Sequence, residues 1–145
     1  MRLSRRRVLA VALLPVITPA AATPESLQAA VRAYTGGAPV QDGRVTIELA
    51  ELVENGNAVP LAVQVQSALT ATDHVRSIAV FTSHNPQPEV AVFHFSPRVA
   101  GRARVDTRIR LATSQRVLAL ATLSDGSVWR AQADVLVTLA ACVES

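Results

Sequence analysis

Few residues in this 145-residue sequence are of the kinds that usually carry chemistry. It has one cysteine, one methionine and no lysine, and aromatic residues make up 3% of it. A lone cysteine excludes an internal disulfide. In an exported chain it leaves pairing with another chain, a free reactive thiol, or an inert core residue. With so few aromatics, the 50% of residues that are hydrophobic must build a core from Val, Leu, Ile and Ala. Such a core suits strands better than a ligand cage. No Gly-x-Ser-x-Gly elbow and no phosphate-cradling glycine loop is present, so hydrolase and nucleotide chemistry are poorly served.

Metal chemistry is also thinly supplied. His74, His84 and His94 fall in three different elements, with a proline-rich turn between two of them and no compact pair at metal-ligand spacing. A blue-copper site would need a His close behind the cysteine and a weak axial ligand such as Met. No His follows Cys142, and the methionine is Met1. We expect neither a metal nor a cofactor.

Residues 1–22 read as a targeting segment. Arg2, Arg5, Arg6 and Arg7 form a positive start, Val8 to Ile17 is apolar apart from Pro15, and Ala20-Ala21-Ala22 offers small residues for cleavage. Ser4-Arg5-Arg6-Arg7-Val8-Leu9 resembles a bacterial twin-arginine signal, which exports folded proteins; an ordinary, arginine-rich secretory signal is the alternative. The apolar stretch is too short to span a bilayer, and no later stretch is long enough. No membrane insertion is therefore expected after signal removal. Four of the 14 arginines leave with the signal, so ten face 11 acids and the mature net charge is −1. A basic surface for nucleic acid is not supported.

What remains is one domain, 23–139, large enough to bury roughly two-thirds of its unfolded surface. It opens with a helix. Thr23 can cap it, Pro24 suits its first position, and Glu25 suits its positive end. Leu27, Ala30, Val31 and Tyr34 give one apolar face, and Gly36-Gly37 stops the helix. The period then becomes two. Strands are expected at Arg44 to Leu49, Leu61 to Val65, Val75 to Phe81, Val90 to Phe95, Arg102 to Leu111, Val117 to Leu123 and Val128 to Leu139. Glu54-Asn55-Gly56-Asn57, His84-Asn85-Pro86-Gln87-Pro88 and Ser124-Asp125-Gly126 read as turns. About seven short strands and a short N-terminal helix predict an all-β, immunoglobulin-like β-sandwich.

Three polar features stand out. Arg102, Arg104, Arg108 and Arg110 share one face of a strand, open to solvent or to an acidic partner or anion. Glu48, Glu51 and Glu54 cluster between two strands and read as solvated carboxylates. Cys142 directly follows the last strand, where little chain remains to cover it, so an accessible thiol is expected over a core one. Its neighbour Glu144 disfavours the reactive thiolate, so activation must come from a partner's site. A surface thiol without function and a disulfide-linked homodimer remain alternatives. Leu139-Ala140-Ala141-Cys142 looks like a bacterial lipidation site, but such sites end an N-terminal signal.

Several stretches together resemble the SoxY sulfur-carrier family of periplasmic thiosulfate oxidation. They are Glu54-Asn55-Gly56-Asn57-Ala58-Val59-Pro60, Asn85-Pro86-Gln87-Pro88, Thr107-Arg108-Ile109-Arg110-Leu111-Ala112 and Ser124-Asp125-Gly126-Ser127-Val128-Trp129. The resemblance implies a periplasmic sandwich paired with a second sandwich subunit, SoxZ. It implies no enzymatic activity of the chain's own. Cys142 would hold sulfur intermediates covalently, on an arm of residues 140–145, for other enzymes including c-type cytochromes. The arm departs from the family pattern. Where the family has glycine on both sides of the cysteine, this chain has Ala140-Ala141 before it and Val143-Glu144-Ser145 after it. An interaction module that has kept the fold and lost carrier chemistry is the alternative.

Overall fold

The computed structural model describes residues 22–97 and 102–141. The targeting segment expected at 1–22 lies outside them but for Ala22, as do Cys142 and the three residues after it.

The helix α1 (Pro24–Thr35) begins as its sequence dictates. Ser26 N–H donates to Thr23 Oγ1 and Thr23 N–H donates to Ser26 Oγ, a reciprocal cap that satisfies two otherwise orphaned donors. Amide donation at this helix start holds the Glu25 carboxyl below its ordinary range. The helix stops at Gly36, whose φ of 64° is left-handed.

Nine strands follow among the described residues: β1 (Val40–Asp42), β2 (Val45–Glu48), β3 (Leu52–Asn55), β4 (Val59–Val65), β5 (Val75–Thr82), β6 (Glu89–His94), β7 (Ala103–Ile109), β8 (Gln115–Leu123) and β9 (Val128–Leu139). The seven expected strands are all present. Two more, β1 and β3, lie parallel to successive parts of β9 along its outer edge. Both are only three or four residues long and show no clean alternation, which is why periodicity does not reveal them. Glu54 and Asn55, read above as turn residues, end β3.

One sheet runs β1-β9-β8-β5-β6, with β3 also on β9; the other runs β2-β4-β7. Val59, Leu61, Val63, Ile78, Val80, Val117, Ala119, Val135 and Leu111 fill the space between them. A second apolar layer lies on the outer face of the larger sheet, where Ala79, Phe81, Leu120 and Val128 meet Leu27, Ala30, Val31 and Tyr34 of the helix. Tyr34 and Phe81 pack edge-on at 5.9 Å between ring centroids. This double burial explains why β5 reads as a continuous apolar run: Ile78 and Val80 face one layer, Ala79 and Phe81 the other. On β7, Ala103 and Ile109 point inward while Asp106, Arg108 and the flanking Arg102 and Arg110 are exposed. No helix among the described residues is long and apolar enough to cross a membrane.

Candidate functional site at the root of the C-terminal arm

Strand β9 carries the chain to one end of the sandwich, and a web of backbone bonds holds it there. Gly56 N–H donates to Leu139 O at 2.8 Å, Leu111 N–H donates to Gly56 O at 2.8 Å, and Ala141 N–H donates to Leu111 O at 3.1 Å. Thr138 Oγ1 adds a bond to Glu54 O, and Val137 N–H donates to Ser114 Oγ at 2.8 Å. Ala141 is 6% exposed. The first two residues of the expected arm differ: Ala140 is exposed, while Ala141 belongs to the body by burial and bonding. Cys142, one residue further, lies outside the described residues, so its side chain has no structural account.

Gly56 is the keystone of this web. A Cβ placed on it would stand 2.4 Å from Leu111 O, 2.9 Å from Ala141 N and 3.1 Å from Val137 Cγ1. The reason for glycine is therefore close approach of three chain segments, and its φ is not positive.

Asn85 braces the same end from the other side. Its amide donates to Arg110 O at 2.8 Å, and its Oδ1 accepts from Ala112 N–H at 2.9 Å and Gln115 Nε2 at 2.7 Å. Gln115, 6% exposed, in turn accepts from the N–H groups of His84 and Asn85. Two of the four motifs, around Gly56 and Leu111, thus bond directly to the backbone leading to Cys142, and the third, around Asn85, braces Arg110 and Ala112 on either side of Leu111. The fourth lies at the opposite end, where Trp129 stacks under the Arg44 guanidinium at 5.1 Å. The roles of Gln115 and Ser114 had no signal in the sequence, since both act through bonds to residues distant along the chain.

The remaining candidates disperse. Arg104 is taken up by Glu48 at 2.7 Å and Asp106 at 2.8 Å, so the arginine face carries less free charge than its spacing suggested. Hydrogen bonds from Arg104 hold both carboxyls below their ordinary range and push the guanidinium up. Of the three clustered glutamates, only Glu48 joins this pair; Glu51, just before β3, and Glu54, within it, are exposed. His84 precedes the Asn85 brace, whereas His74 and His94 border one groove at the other end. No group of three or more His, Cys, Asp or Glu that could hold a metal ion occurs among the described residues.

The family of the sulfur oxidation protein SoxY matches residues 31–142, a span that takes in every element after the first turns of the helix and stops on Cys142. This chain belongs to the SoxY family. Among solved structures it is similar to the sulfur carrier protein SoxY from Chlorobium limicola f thiosulfatophilum, with 29% identity and a TM-score of 0.67 over 81% of this chain and 100% of that one. The superoxide reductase (neelaredoxin) from Ignicoccus hospitalis aligns with a TM-score of 0.58 at 17% identity, over 80% of this chain and 94% of that one. At that identity the likeness is one of fold. No curated protein sequence matches the chain. The SoxY fold and family support a carrier role in sulfur oxidation.

Proposed function

We propose that this SoxY-family chain is an exported, periplasmic carrier that holds sulfur intermediates covalently on Cys142 and presents them to other enzymes. The observation that carries the reading is that the motifs around Gly56 and Leu111 bond to the backbone leading toward Cys142, with the Asn85 motif bracing Leu111 from behind. Forming an S–S bond between a thiol and the terminal sulfur of thiosulfate releases the thiol proton and two electrons, so it needs an electron acceptor. Nothing in the described residues supplies one. That division of labour fits a non-catalytic carrier served by other enzymes, periplasmic c-type cytochromes among them, and paired with a SoxZ-like sandwich subunit. Export of an assembled pair by the twin-arginine route fits the same picture.

The test is the intact mass of the mature chain after incubation with thiosulfate, an oxidant and the partner proteins. An adduct that is lost in Cys142→Ser is the expected result, and an unmodified Cys142 refutes the proposal. A second reading draws on the missing glycines and on the tethering of Ala141: an interaction module that keeps partner pairing without carriage. Copurification with a SoxZ-like subunit together with full pathway activity of Cys142→Ser favours it.

A further inference from the structure

At the far end of the sandwich from the arm root, the outer face of the larger sheet carries a groove with a polar floor and a cationic rim. Its polar lining is His74, Arg76, Ser77, His94, Thr122 and Tyr34. Ser77 of β5 pairs with His94 of β6 and with Thr122 of β8, so these three side chains stand in a row across three strands. Ser77 is 7% exposed, and its Oγ lies 2.7 Å from the Tyr34 hydroxyl, which ties the helix to this floor.

Arg76 enters the groove because the strand is irregular there. Val75 pairs with Leu123 and Ser77 with the adjacent Thr122, which leaves Arg76 as the extra residue of a β-bulge. Bulges re-aim a side chain away from the regular alternation, and they recur beside functional sites.

The donors here are unspent. Among the described residues Arg76 makes no ion pair, and the Thr122 hydroxyl and the His94 ring have no hydrogen-bond partner. The His74 ring is fixed by a bond between Nδ1 and Thr70 O at 3.0 Å. Among the described residues no Asp or Glu lines the groove, and the nearest in sequence, Asp73, is engaged by Arg44 at 3.3 Å. Arg102 lines the adjoining cleft together with His74, extending the positive rim. A concave site of one charge sign with a guanidinium, an imidazole and a free hydroxyl suits an anion with several acceptor oxygens.

We infer that this groove is a non-covalent binding site for a tetrahedral oxyanion of the sulfate class, separate from the thiol and independent of the carrier reading. Sulfate, thiosulfate and phosphate share the chemistry that Arg76, His94 and Thr122 would recognise. The experiment uses the mature Cys142→Ser chain, so that no covalent chemistry contributes. The sodium salts of the three anions are titrated separately at constant ionic strength against sodium chloride, and backbone amide shifts are followed by NMR. The expected result is saturable shifts at Ser77, His94 and Thr122, with the tightest of the three anions naming the source. Loss of one charge-assisted contact in Arg76→Gln should weaken binding about tenfold, and Thr122→Val should weaken it less. Shifts that do not saturate, or that match those with chloride, overturn the inference. So does unchanged affinity in both variants when their remaining amide spectra are native.

Discussion

Replacing Gly56 by Ala tests the root of the arm more directly than any change in the arm itself. The added carbon would overlap Leu111 O at 2.4 Å and Ala141 N at 2.9 Å. Both are backbone atoms that already bond to each other, and Gly56 bonds to Leu111 and to Leu139 on either side. No flexible side-chain end is available to yield, so the strain falls on the hydrogen bonds. Overpacking of this kind costs about 1–3 kcal/mol, and losing a backbone bond adds about 1 kcal/mol. A loss near 3 kcal/mol is expected, which lowers the melting temperature of a domain this size by about 10 °C. Urea unfolding followed by Trp129 fluorescence measures the stability, and amide hydrogen exchange at Ala141 reports the local release. Gly37→Ala is the contrast. Its φ is +86° but nothing lies within 4 Å of the added carbon, so only backbone strain of about 1 kcal/mol applies. If Gly56→Ala is no less stable than Gly37→Ala and Ala141 exchanges as slowly as in the parent, the tether described here does not exist.

Other changes probe neighbouring features. Asn85→Ala removes bonds to Arg110 O, Ala112 N–H and Gln115 Nε2, and should cost about 2–3 kcal/mol in urea unfolding. Cys142→Ser should leave the unfolding midpoint within error of the parent while abolishing any sulfur adduct by intact mass. The carboxyls of Asp42, Glu48, Asp106 and Asp134 are all depressed by hydrogen bonds from arginines. Their stabilising contribution is therefore complete above the unfolded values near pH 4 and fades as pH falls through the folded ones. Urea midpoints should hold steady down to about pH 5 and drop below it, and Arg104→Gln should flatten part of that drop. Inserting two glycines between Ala141 and Cys142 should raise the rate of adduct formation with partner enzymes without altering stability. An unchanged rate means that reach is not limiting.

How much of this was legible beforehand follows from the range of each signal. The helix was readable to the residue at both ends, because caps and apolar period are local and Thr23, Pro24 and Gly36 act on the chain beside them. The seven longer strands were readable because each alternates over enough residues to mark a face. Strands β1 and β3 were not, since they exist only through parallel pairing with β9 about 80 to 90 residues away in sequence. The arm root shows the same division. Asn55-Gly56 announced a turn, but the need for glycine comes from Leu111 and Ala141, which sequence proximity cannot supply. Arg104 read as free charge because its partner Glu48 lies 56 residues away in sequence, on the far side of strand β4.

The bond from Ala141 to Leu111 also bears on how a cargo would be handed over. Ala141, the last described residue, is bonded into the body and buried there, and consecutive Cα atoms are 3.8 Å apart. Long swinging tethers let a carrier serve deep active sites while its bulk stays at a distance. On the proposed carrier role, the bulk of the domain would travel close behind the load. The end of the sandwich around Leu139, Thr138 and Asn57 would then be the plug that each client enzyme has to fit. Recognition shifts from the sequence around the thiol to the shape of the domain behind it, and a client would have to be wide-mouthed rather than deep.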